Sequence, residues 1–101
     1  MSLPVWFRAE AAADLEHHVE YLRQQAGPAA EFARAVQRTV SLLSSQPRMG
    51  KPWNPRWIRV FPVHKFTDYL IFYHALEEEV EILRIVHGRQ DLRDLLLSLV
   101  E

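Results

Sequence analysis

The sequence predicts an α+β domain, and three observations carry that reading. Two stretches of helical periodicity follow one another closely, joined by Gly27-Pro28. Three apolar, strand-like runs come next, over residues 57–63, 68–75 and 79–87. A short leucine-rich tail then repeats Leu92, Leu95, Leu96 and Leu99 at helical spacing. With a short first strand before the helices, the order is β-α-α-β-β-β-α.

Each element has its own local cause. Residues 3–8 form an apolar run around Trp6 and Phe7, consistent with a first strand. From Glu10 the period changes, and Leu15, Val19, Leu22 and Ala26 line one helical face. Gly27 suits a helix C-terminus and Pro28 the first turn of the next helix. Phe32, Val36, Val40 and Leu43 form the second stripe, which stops before Pro47. So short a turn implies an antiparallel helical hairpin. Pro47, Gly50, Pro52 and Pro55 mark residues 47–56 as a loop. The last two strands, joined across the acidic turn, are apolar on both faces, which predicts a sheet covered on both sides at its centre.

At 101 residues the chain is expected to be one domain, 1–101, with a single core. It contains no cysteine, so neither a disulfide framework nor a thiolate metal site is available. No apolar run approaches the ~20 residues that span a bilayer, and no signal pattern opens the chain, so the expected compartment is the cytoplasm, away from the membrane. The net charge of −1 is unevenly placed. Arg48, Lys51, Arg56, Arg59 and Lys65 face only Asp68 over residues 48–74, whereas residues 77–81 hold four glutamates. A nearly neutral chain is poorly suited to wrapping nucleic acid, though a local basic groove or a highly charged protein partner remains open.

The candidate chemistry is sparse. His17, His18 and Glu20 share a helix, but they lack the zinc-protease spacing and a third ligand, so they read as solvated residues and no metal site is expected. Arg59, between Ile58 and Val60, is either an edge-strand arginine stacked on aromatics or a cation aimed at a phosphate or carboxylate. Alternation puts Arg84 on one face with Ile82 and Val86, and His87 on the other with Leu83 and Ile85. An arginine in such a strand needs a carboxylate partner or an opening to solvent. His87 could serve as a general acid or base or as a structural hydrogen-bonding group. Lys65 and Arg89 sit on loops, where side chains reach ligands or simply solvent. The three tryptophans offer either base stacking or core packing. Neither a glycine-rich phosphate loop, a carboxylate dyad nor a nucleophile elbow is visible.

Taken in order, several segments form a recognisable set. They are Ala-Ala-Asp14-Leu15 with Tyr21, Pro47-x-x-Gly50, Ile58-Arg59-x-Phe61-Pro62, Tyr69-Leu-Ile-Phe-Tyr73, and residues 82–92 around Arg84, His87 and Arg89. Over nearly its whole length the chain resembles the RelE/ParE superfamily of toxins from bacterial type II toxin–antitoxin modules, and within it the ParE-like branch. The resemblance implies a small antiparallel-dominated sheet with an N-terminal helical hairpin and a short C-terminal helix. It also implies one of two activities. RelE-like members cut messenger RNA on the ribosome, using basic side chains to stabilise the developing charge. ParE-like members inhibit DNA gyrase by binding, without cleavage chemistry or a cofactor. Both are neutralised by a cognate antitoxin in a hetero-oligomer, and such modules act in growth inhibition and plasmid stabilisation.

Departures from the RelE pattern choose between the two. Leu70 stands where RelE-like toxins carry a strand arginine, and Leu95 stands near the position of their terminal-helix tyrosine. The lysine cluster is reduced to Lys65 with His64, and only Arg89 matches a catalytic arginine. The expectation is therefore a ParE-like gyrase inhibitor neutralised by a ParD-like or similar antitoxin, with Arg59, Arg84, Arg89, Leu92, Leu95 and Leu96 binding either the antitoxin or the target. The alternative is a ribosome-dependent nuclease using His87, Arg89, His64 and Lys65. A third reading is an inactive toxin that only binds its antitoxin.

Overall fold

In the computed structural model, residues 2–53, 57–88 and 95 are described. The chain runs as β1 (Val5–Phe7), α1 (Ala9–Gln24), α2 (Ala29–Ser45), β2 (Lys51–Pro52), β3 (Ile58–Val63), β4 (Phe66–Ala75) and β5 (Val80–His87). The strands form one sheet in the order β1-β5-β4-β3-β2. Only β1 and β5 pair in parallel; the other three pairings are antiparallel, as the family resemblance implies. The predicted C-terminal helix lies outside the described residues, apart from Leu95, which is buried.

The two helices cover one face. Phe32, Val36 and Leu43 of α2 and Ala11 of α1 meet Val63, Ile71, Tyr73, Val80, Ile82 and Ile85 of the sheet. On the opposite face Leu95 packs with Ile58, Phe72, Leu83 and Val86, and Trp53, Val60 and Leu70 close around them. The sheet is thus covered on both sides at its centre, as its two-sided apolar strands require.

Four local features depart from the sequence reading. Helix α1 ends at Gln24, and Ala26, not glycine, takes the left-handed conformation at φ 55°. The Gly27 N–H donates to the Leu22 carbonyl at 2.7 Å and the Ala26 N–H to the Arg23 carbonyl at 3.1 Å, a Schellman closure placed one residue earlier than expected. Within the proline-rich loop, Lys51–Pro52 form a two-residue edge strand on Arg59 and Val60, the one position in a sheet where proline is tolerated. Strand β4 begins at Phe66, so only His64 and Lys65 connect it to β3, with Lys65 at φ 66°.

The fourth departure changes which residues share a face. In the β4–β5 ladder Phe72 pairs with Arg84 but Tyr73 pairs with Ile82, so Leu83 is an extra, bulged residue. The bulge breaks the alternation that would have grouped Ile82 with Val86. Ile82 and Ile85 both join the helix-side core, while Leu83 and Val86 both join the other. An inserted residue flips every side chain beyond it.

Candidate functional site

The strand β1 is too short to pair with the whole of β5, and α1 completes the edge. Asp14 and His18 lie one helical turn apart and bracket Ile85. Asp14 Oδ2 accepts the Ile85 N–H at 3.0 Å, and His18 Nε2 meets the Ile85 carbonyl at 2.8 Å. Since a carbonyl only accepts, Nε2 carries the proton. Asp14 also takes both arms of Arg84, Nε at 2.7 Å and Nη2 at 2.9 Å. Arg84 therefore has the carboxylate partner that its position in an apolar strand demanded, and this bonding raises its pKa further. His18 is buried, contrary to the solvated-helix reading, because Ala11, Leu15, His18 and Leu22 continue one inward stripe of α1. Burial holds its pKa below the ordinary 6.5, against the opposing pull of the Ile85 hydrogen bond and Asp14.

A second lock joins the end of α2 to the sheet. The Tyr73 hydroxyl donates to the Pro47 carbonyl at 2.7 Å and accepts the Gly50 N–H at 2.8 Å. Burial raises the Tyr73 pKa and keeps the phenol protonated for this task. Arg59, beside Tyr73 in the ladder, donates Nη1 to the carbonyls of Gly50 at 2.6 Å and Arg48 at 3.1 Å. A Cβ on Gly50 would lie 2.5 Å from the Tyr73 hydroxyl and 2.9 Å from the Val60 carbonyl, which accounts for glycine there. Arg59 is thus an arginine of loop anchoring, through carbonyl contacts rather than aromatic stacking.

The remaining candidates are scattered. His87 packs edge-on against Tyr69 at 4.9 Å and lines a small cleft with Thr67, Asp68, Leu70 and Gly88. His64 and Lys65 line a different depression, against α2. Leu95 is 8% exposed within the second core. Arg89, Leu92 and Leu96 lie outside the described residues. Of the tryptophans, Trp53 packs on Phe72, whereas Trp6 and Trp57 stay exposed, Trp57 against the His74 ring. Among the described residues, no group of three His, Asp or Glu side chains is arranged to hold a metal. Nor is any described helix long and apolar enough to cross a membrane.

Sequence reasoning missed His18, the Gly50–Tyr73 contact and Thr39. The Thr39 hydroxyl donates to the Ala35 carbonyl at 2.7 Å and accepts the His64 N–H at 2.9 Å, fixing the β3–β4 turn to α2. The family model described as ParE toxin of the type II toxin–antitoxin system, parDE, matches residues 5–92. The chain belongs to the ParE toxin family. Its structure is also similar to a solved structure described as the chromosomal ParDE toxin–antitoxin system from P. aeruginosa. The TM-score is 0.73 and the identity 20%, over 85% of this chain and 96% of that one, a likeness of fold. Among curated proteins the sequence finds no match. Within the ParE family frame, Asp14, Pro47, Gly50, Arg59, Tyr73 and Arg84 all belong to the two locks.

Proposed function

We propose that this ParE-family chain acts as a single toxin domain in the cytoplasm, inhibits DNA gyrase by binding it, and is neutralised by a cognate antitoxin. The observation that carries the mode of action is the cleft around His87. Cleaving an RNA phosphodiester requires a cation close to the phosphate as charge develops. Among the described residues, the side chains lining that cleft besides His87 are Thr67, Asp68 and Leu70. Asp68 has the wrong sign for a phosphate, and Leu70 fills the place where a messenger-cutting relative would carry arginine. His64 and Lys65 line another depression, so these two members of the nuclease set do not line the cleft around His87.

Arg59 and Arg84 keep the loop and the sheet edge in shape, and the proposed antitoxin contacts beyond them are Arg89, Leu92 and Leu96. Binding of purified protein to immobilised gyrase, compared with cleavage of messenger on programmed ribosomes, tests the reading. Gyrase binding without cleavage is the expected result, and cleavage without gyrase binding would overturn it. Loss of both would favour a toxin that only binds its antitoxin.

A further inference from the structure

The end of the sheet away from the His87 cleft carries a row of side chains that neither lock uses. The residues on either side of Trp6, Glu81 and His74 all pack into the helix-side core. Alternation therefore turns these three side chains to the opposite face. The ladder sets Trp6 beside Glu81 and Glu81 beside His74, and the Trp57 ring lies 4.9 Å from the His74 ring. The row thus runs from β1 to the start of β3. Trp6 is 44% exposed and Trp57 40%, although tryptophan is mostly buried in folded chains. A pair of open indoles on one face, with polar groups between them, is the pattern of a contact surface.

The charge beside this row decides what it meets. The β4–β5 hairpin turns at the same end and is closed by the Leu76 N–H, which donates to the Glu79 carbonyl at 2.9 Å. It holds Glu77 and Glu78 out in solvent. Glu81 is answered within the chain by Arg8, whose Nε lies 3.3 Å from its carboxylate. The carboxylates of Glu77, Glu78 and Glu79 have no ion-pair partner among the described residues. Arg48 lines a cleft with Glu77 but does not pair with it. From His74 to Glu77 is three residues, about 10 Å along an extended strand, so one short segment reaches both indoles and turn. An indole face attracts a guanidinium and a carboxylate accepts both of its arms, so the surface suits arginine.

We propose that this end of the sheet is a docking surface for a basic, arginine-bearing segment of a partner protein. Guanidinium groups of the segment lie on the Trp6 and Trp57 rings, and its remaining cations meet Glu77 and Glu78. An acidic segment or a nucleic acid would face like charge there. The surface stands at the opposite end of β5 from His87, so it is open whichever target the toxin has.

The test is titration of the purified protein with a short synthetic peptide of alternating arginine and serine. Fluorescence anisotropy reads the affinity, and the indole N–H resonances of the three tryptophans read the place. Peptides with lysine or glutamate in place of arginine serve as comparisons. The arginine peptide should bind and move the Trp6 and Trp57 resonances, leaving Trp53, which packs on Phe72, unmoved. The lysine peptide should bind severalfold more weakly, since its ammonium lacks the planar fork. Glu77→Gln with Glu78→Gln should weaken the arginine peptide about tenfold without lowering the thermal midpoint. Trp6→Leu, which keeps an apolar cover but removes the ring, should weaken it severalfold. Equal binding by either comparison peptide, unmoved Trp6 and Trp57 resonances, or unchanged affinity in either variant would each overturn the proposal.

Discussion

Replacing Asp14 with alanine should be among the most damaging changes available in α1. The carboxylate accepts three hydrogen bonds, two from Arg84 and one from the Ile85 backbone. Removing it strands a guanidinium whose side chain is 19% exposed and an N–H at the sheet edge. Breaking a fully buried pair costs about 3–5 kcal/mol, and an orphaned buried donor about 1–3 kcal/mol. Residual solvent access lets water reach the guanidinium, which puts the combined loss near 3 kcal/mol. In a domain of this size that lowers the thermal midpoint by about 15 °C. Arg84→Met should cost less, about 1–2 kcal/mol, because Asp14 still caps Ile85. The double variant should then be less destabilised than the sum, by about 1–2 kcal/mol of coupling. Urea unfolding of the four proteins measures all of this. A loss below about 1 kcal/mol in Asp14→Ala, or strict additivity, would refute the claim that Asp14 and Arg84 form one structural unit.

Gly50→Ala should destabilise by about 3 kcal/mol, because the new Cβ displaces the buried Tyr73 ring and its two hydrogen bonds. The same change made on a Tyr73→Phe background should cost less, as the nearest clashing atom is gone; equal costs in chemical denaturation would contradict the lock. Ala26→Gly should stabilise by about 0.5–1 kcal/mol, relieving the left-handed backbone at the end of α1, and differential scanning calorimetry reads the sign. His18 has a folded-state pKa below the ordinary 6.5, so the unfolded chain takes up the proton first as pH falls. Its contribution is complete above pH 6.5 and declines as pH drops toward the folded value. Unfolding free energies across pH 7.5 to 5 should show this decline and a flatter profile in His18→Gln; identical slopes would exclude His18 as the source.

Most of the frame was legible because it is periodic. The stripes of α1 and α2 and the two-sided apolar strands are local patterns, and each predicted its element. An arginine set into the β5 strand also announced its need for a carboxylate. What could not be read is what closes over long sequence distances. Nothing near Ile85 says that a helix seventy residues earlier supplies both its hydrogen-bond partners. Proline hid β2, and a turn built on Lys65 lacks the glycine or asparagine that marks such turns. The bulge at Leu83 has no composition signal, yet it decides which face each later residue serves. The segments that carry the family resemblance include Asp14, Gly50, Arg59, Tyr73 and Arg84, and in this fold each of them takes part in one of the two locks.

The mode of action proposed for this ParE-family chain is binding to its target without cutting RNA. Gyrase supercoiling in the presence of the purified protein, beside a variant carrying both His64→Ala and His87→Ala, tests it most directly. Both proteins should inhibit supercoiling at the same concentration. Unimpaired supercoiling, together with ribosome-dependent messenger cleavage that the double variant loses, would contradict it.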